Sequence, residues 1–305
     1  MSEKEYLSCR LCARDCGIDR NKTVGFCGMS DELSVSYYSL HKWEEPPISG
    51  DQGSGTIFFD GCSLGCIFCQ NAKISRGRNG KILTVDELSN VMLELQEAGA
   101  HNINFVTPTH FLPSVAAALK IARSKGLTVP AVYNTGSYDS VEALKKLDGA
   151  INVYLPDFKY YTSATSKKYS NAPDYPSVAK LAIAEMYRQV GPAVIDGQGL
   201  MKRGMIVRVL LLPERVAEAK LIVKYLYETY GDNIYISLMS QYTPMAGMKP
   251  PLDRRVTKEE YRQLLSYAER LGVSNAFVQE DGCAEDSFIP PFGEGGSICG
   301  IKKER

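Results

Sequence analysis

The residues of this chain best suited to chemistry are its nine cysteines, in three groups: Cys9, Cys12, Cys16 and Cys27; Cys62, Cys66 and Cys69; Cys283 and Cys299. Close clusters and an odd total fit metal ligation in a reducing compartment better than a disulfide framework. Only three histidines accompany them, so a metal would be held mainly by thiolate. That favours zinc or iron-sulfur over hard-cation chemistry.

The middle group has the spacing C-x3-C-x2-C within FFDGCSLGCIFCQN at 58–71, with Gly61 and Gly65 letting the backbone turn tightly. A zinc ion wants a fourth protein ligand, and this loop offers none. A four-iron four-sulfur cube held by three cysteines keeps one iron open to an outside ligand. The first group, C-x2-C-x3-C-x10-C, supplies four thiolates with Arg10, Arg14 and Arg20 among them. Four is the count that closes a zinc site, and also the count that closes a second cluster. Cys283 and Cys299 read as unliganded, and the glycines at 293, 295 and 296 leave a mobile C-terminal thiol as the lesser reading.

These groups need elements to position them. Residues 1–50 are turn-rich and form a Cys-rich appendage ending in a Pro/Gly stretch, in which Trp43 reads as packing. From Gly55 onward, apolar runs alternate with amphipathic segments, the mark of βα units and a parallel sheet. Strands are expected near 55–60, 102–106, 128–133, 151–155, 205–212, 234–238 and 275–279. Thr84 with Glu87, and Thr257 with Glu260, open helices as capping boxes. The fold class is α/β, a full or partial parallel (β/α) barrel over 51–285 with an insertion at 160–204 and a tail at 286–305. Function then belongs at the carboxyl ends of the strands.

With Phe68 before the last cysteine and a first barrel strand before the loop, this segment resembles the radical S-adenosylmethionine (SAM) superfamily. Segments 9–16, 41–46, 53–59, 101–110, 155–160 and 239–244 are similar to its pyruvate formate-lyase activating enzyme-like branch. The resemblance implies a 4Fe-4S cluster on Cys62, Cys66 and Cys69 whose open iron chelates SAM. Reductive cleavage then gives a 5′-deoxyadenosyl radical that abstracts hydrogen, with a small electron donor such as flavodoxin or ferredoxin and, as one candidate substrate, a glycyl-radical enzyme.

It also places cofactor contacts at the other strand ends. Where activating enzymes carry Gly-Gly-Glu, this chain has TPTH at 107–110, so Thr107 and Thr109 are the candidates for the SAM amino group, with His110 a proton relay or a strand-end histidine. Asn134 falls at the ribose position. Asp157 and Lys159 match the Asp-x-Lys beside the methionyl end, and Arg208, alone in an apolar strand, would suit a SAM carboxylate. Val209 replaces the histidine that often follows that arginine. Tyr160, Tyr161 and Tyr169 either line a substrate mouth or cover the core.

Thirty-five Lys plus Arg balance thirty-five Asp plus Glu, so no bulk field draws the chain to nucleic acid or an anionic membrane. No apolar run is long enough to span a bilayer, and the N-terminus has no secretory pattern, so a cytoplasmic place is expected. The competing readings are an iron-sulfur electron carrier, which needs a fourth protein ligand for its cluster, and a zinc-stabilised binding module on a barrel.

Overall fold

Strands of a parallel sheet are buried on both faces, and the runs at 54–59, 103–106, 131–135 and 153–156 are buried along their whole length. The computed structural model describes residues 2–279. Cys283, Cys299, the barrel end at 285 and the tail at 286–305 lie outside the described residues.

The strands are β1 (Ser34–His41), β2 (Ser54–Phe59), β3 (Lys81–Ile82), β4 (Ile103–Val106), β5 (Ala131–Thr135), β6 (Val153–Pro156), β7 (Val194–Ile195), β8 (Met201–Leu210), β9 (Tyr235–Met239) and β10 (Ala276–Val278). The helices are α1 (Ser2–Leu7), α2 (Pro46–Ser49), α3 (Ala72–Ser75), α4 (Val85–Glu97), α5 (Leu112–Ser124), α6 (Val141–Leu144), α7 (Ser163–Ser170), α8 (Tyr175–Val190), α9 (Val216–Tyr230) and α10 (Lys258–Leu271). In sheet order β10-β9-β8-β6-β5-β4-β2, each strand pairs parallel with the next, while β1 lies antiparallel against β2 and carries β3 at its far edge. This is a partial (β/α) barrel, and all seven expected strands fall within it. The turn-rich first 50 residues contribute β1, which extends the same sheet. In the 160–204 segment, α8 is the crossover that returns the chain from β6 to β8.

The helix starts follow the sequence. Thr84 Oγ1 accepts from the Glu87 N–H at 3.2 Å while Glu87 accepts from the Thr84 N–H at 2.8 Å, and Leu88, Val91, Met92 and Leu95 bury one face of α4. Thr257 and Glu260 make the same reciprocal pair at α10. Among the described residues, no helix is long and apolar enough to cross a membrane.

Register sets the level of the strand ends. Phe58 stands opposite Val106, Val106 opposite Asn134, and Asn134 opposite Leu155, while an isolated parallel bridge joins Asp157 to Arg208. The residues that end β2, β4, β5, β6 and β8 therefore share one rim. Removing the cap that starts α4, by Thr84→Ala, is expected to lower the unfolding free energy by about 1 kcal/mol in a denaturant titration, with secondary structure intact.

Candidate active site

The chain leaves β2 through Asp60 and enters the cysteine loop with little backbone pairing of its own. Asp60, fully buried, fixes the start: one carboxylate oxygen accepts from Ser34 Oγ at 2.8 Å and from the Gly80 N–H at 2.6 Å. Gly61 (φ +82°) and Gly65 (φ +67°) take the left-handed conformations the turns require. Gly61 has no alternative, since a Cβ there would stand 2.7 Å from the Cys27 carbonyl oxygen and 2.5 Å from the Met29 side chain.

The three sulfurs sit in a wall of donors. Cys66 Sγ accepts from Ser170 Oγ at 3.1 Å and from the Tyr160 hydroxyl at 3.5 Å, and Cys62 Sγ from the Leu64 N–H at 3.4 Å. Burial pushes the Cys62 thiol up to about 12, with repulsion from Cys69 and Cys66 adding to it, and burial raises Cys69 as well. Without a metal the Cys62 and Cys69 thiols are thus neutral, and ligation would release their protons. Phe68 lies buried behind the loop, edge-on to Tyr160, Tyr169 and Tyr242. Tyr160 and Tyr169 are therefore part of the loop's support and not of an open mouth.

The ten residues expected around the cluster and SAM, namely the three loop cysteines, Phe68, Thr107, Thr109, Asn134, Asp157, Lys159 and Arg208, line one cavity of about 240 Å³, and Cys9, Cys12, Cys16 and Cys27 stand outside it. Thr107 holds φ at +57°, a region that a β-branched residue rarely enters, and its N–H donates to the Asn134 carbonyl at 2.8 Å. Thr109 donates its hydroxyl to Asp139 at 2.7 Å, within a buried cluster completed by Tyr133 and Thr135. Lys159 Nζ meets Asp157 at 2.6 Å. Burial opposes charge on both, yet the cations Arg208 and Lys159 hold the Asp157 carboxyl below its usual range, and Asp157 holds Lys159 above its own.

Arg208 is not waiting for an anion. Its Nε donates to Asp157 at 2.7 Å, its Nη2 to Asn134 Oδ1 at 2.6 Å, and its Nη1 reaches Glu44 at 3.3 Å. Glu44, which no local pattern in the sequence marks, comes from the N-terminal segment. It also accepts from Asn104 at 2.9 Å, and burial pushes its carboxyl up against the pull of Arg208. The available signal was Arg208 itself, because a guanidinium inside an apolar strand requires carboxylates nearby. Trp43, expected in packing, lines the cavity with 61% of its surface exposed.

His110 lies behind the wall of the site, 1% exposed. Its Nε2 must carry the proton, because it bonds to the Asp60 carbonyl at 2.6 Å, which leaves Nδ1 buried without a partner. The ring is a brace between the end of β4 and the start of the cysteine loop.

A family model described as the Radical SAM superfamily matches residues 56–197. An uncharacterized protein of Methanocaldococcus jannaschii, MJ0674, is 28% identical over 283 residues, covering 88% of this chain and 76% of its own. Among solved structures, methylornithine synthase (PylB) shares 15% identity at a TM-score of 0.47, covering 71% of this chain and 68% of that one. Streptococcus suis SuiB bound to S-adenosylmethionine shares 12% at a TM-score of 0.49. That match covers 75% of this chain and 50% of SuiB, so this chain spans about half of SuiB's length. The description of that family model implies a 4Fe-4S cluster and SAM. The donor set fits the cluster: three soft thiols, each supplied with hydrogen bonds or close polar neighbours, face a cavity rich in paired charges.

Burial and the nearby Arg20 charge hold His110 down to about 3, below its ordinary 6.5. The folded ring excludes a proton that the unfolded chain takes up, so its contribution is full above 6.5 and fades as pH falls toward 3. Acid unfolding of the wild type is expected to be steeper in that window than that of His110→Gln, by up to about 1.4 kcal/mol per pH unit. Parallel stability-pH curves for the two would contradict this.

Proposed function

We propose that this chain is a radical SAM enzyme that reductively cleaves SAM at a 4Fe-4S cluster on Cys62, Cys66 and Cys69, in the manner of pyruvate formate-lyase activating enzyme-like proteins. The observation that supports it most is the convergence of three thiols and a set of zwitterion-compatible charges on one cavity, at the carboxyl rim of a sheet whose residues 56–197 match the Radical SAM family model. Bound there, a reduced cluster would pass one electron to the sulfonium of SAM, splitting it into methionine and a 5′-deoxyadenosyl radical that would take a hydrogen atom from the substrate.

The residues of the chain hold and orient. Thr107, through its hydroxyl and the carbonyls around its strained backbone, and Thr109 accept from the SAM ammonium. Asn134 addresses the ribose. Asp157 and Lys159 flank the methionyl end, and Arg208, already neutralised by Asp157 and Glu44, presents a fixed dipole network and not a bare cation. Phe68 and the tyrosines behind it keep water from the loop. A flavodoxin or ferredoxin supplies the electron, and the reducing cytoplasm keeps the seven N-terminal and loop thiols available. The hydrogen donor to test first is a glycine of a partner glycyl-radical enzyme, with a peptide or small metabolite as the other outcomes. The four N-terminal cysteines hold zinc or a second cluster.

Protein reconstituted anaerobically with iron and sulfide, then given reductant and SAM, is expected to yield 5′-deoxyadenosine and methionine, and Cys66→Ala is expected to yield neither. Zinc at both cysteine groups and no cleavage would turn the reading to a zinc-stabilised binding module. Arg208→Leu strips Glu44 of its cation and is expected to raise the KM for SAM by about tenfold or more. A wild-type KM would remove Arg208 from the SAM site.

A further inference from the structure

Residues 8–29 contain no helix and no strand, yet they are held against the body of the domain. A segment this long without secondary structure inside a compact domain needs another source of order. A few backbone bonds, such as Cys9 N–H to the Ile18 carbonyl and Gly17 N–H to the Cys9 carbonyl, both 2.9 Å, bring its turns together. Its four cysteines are near enough for charge on Cys9, Cys16 and Cys27 to act on Cys12. A Cβ on Gly25 would stand 3.4 Å from Cys27 Sγ and 3.7 Å from Cys16 Sγ, so these two sulfurs face the same side of one turn.

Arg20 supplies the second observation. It is fully buried, and its guanidinium donates to the carbonyls of Met29, Ser30 and His110, with Cys9 Sγ at 3.9 Å. Among the described residues no carboxylate pairs with it. A buried cation compensated only by neutral carbonyls and by the rings of Tyr6 and Phe111, 4.8 and 5.5 Å away, is unfavourable, whereas four thiolates around a metal leave negative charge beside it.

The segment also touches the cysteine loop at three points. Arg14, between Cys12 and Cys16, donates to the carbonyls of Ser63 at 2.9 Å and Leu64 at 3.0 Å inside the loop, and to Ser170 at 2.9 Å and Asn171 at 2.7 Å. Ser170 is the residue whose hydroxyl donates to Cys66 Sγ. The Arg14 guanidinium stacks 3.7 Å above the Phe26 ring, and that ring lies 3.4 Å from where a Gly65 Cβ would be. Cys27 itself presents its carbonyl to Gly61.

We propose that Cys9, Cys12, Cys16 and Cys27 form a four-thiolate metal centre with buried Arg20 as its counter-ion, and that this centre holds the loop 61–70 in shape through Arg14 and Phe26. The shared chemistry is a closed thiolate set, which zinc or a second iron-sulfur cluster would supply with its metal; among the described residues no three such groups already stand close enough to hold a single ion, so the set closes on loading. Its role toward the catalytic cluster rests on the reading that Cys62, Cys66 and Cys69 carry that cluster.

The test uses the full chain with Cys62, Cys66 and Cys69 all changed to Ser, so that its outcome does not depend on SAM cleavage. Purified without air, this variant is expected to retain about one zinc, or about four irons with sulfide, per chain, the metal present deciding between the two sources. A metal-free variant that still folds would overturn the centre. Removing its metal with a chelator is expected to speed amide hydrogen exchange across 61–70 by about tenfold or more, and unchanged exchange there would overturn the positioning role. In the otherwise wild-type chain, Arg14→Leu is expected to keep the N-terminal metal but to lose iron from the catalytic cluster to a chelator several-fold faster, with Arg14→Lys intermediate. Loss at the wild-type rate would also overturn the positioning role. Failure of the wild type to cleave SAM would overturn the proposed activity and leave these results standing.

Discussion

The largely buried guanidinium of Arg208 is the interaction on which the mouth of this barrel depends. It draws Asp157 from the end of β6, Asn134 from β5 and Glu44 from the N-terminal segment to one point beside the cysteine loop. Without it, carboxylates from two distant parts of the chain would face each other in a poorly solvated cavity, and their repulsion would oppose the closeness that the sheet register imposes. The parallel sheet sets the level of the strand ends, and the ion network makes that level tolerable for charged side chains. A zwitterionic ligand, as proposed for this cavity, would meet charges that are already balanced and would exchange partners with the network without having to neutralise it.

The parts of this architecture legible in the sequence are those whose signal is local. The capping boxes at Thr84 and Thr257 depend on residues three apart, and the three-cysteine spacing is contained in one loop. The buried strands announce themselves as short apolar runs. By contrast, β1 carries serines and tyrosines in a pattern of paired buried and paired half-buried positions, with a register shift against β2, so no clean alternation marks it. The two-residue strands β3 and β7 have no pattern to read. Glu44 was hidden for a different reason: beside Glu45 and before two prolines it looks like a solvated turn, and only the fold brings it to Arg208. Trp43 was assigned to packing by the same local logic, although it stands at the cavity mouth.

The strand-end residues illustrate a further limit. Spacing under period two rightly sets Asp157 and Lys159 side by side, but it does not say whom they serve, and each turns out to satisfy the other as well as the cavity. Thr109 lines the site and is at the same time bound into the buried Asp139 cluster, so its hydroxyl proton is already committed. His110, which from sequence could have been a proton relay, instead braces the loop from behind, with a tautomer dictated by the Asp60 carbonyl.

Gly61 carries a consequence for how this molecule can change. The space beside its Cα is occupied by the Cys27 carbonyl and the Met29 side chain, which come from a segment more than thirty residues earlier. No larger residue can enter without moving that segment, and its backbone conformation admits few others in any case. The cysteine-rich beginning of the chain and the barrel behind it are thus fitted to each other as lock and tenon. A hybrid joining this barrel to a foreign leader would have to reproduce that fit before anything else about it could work.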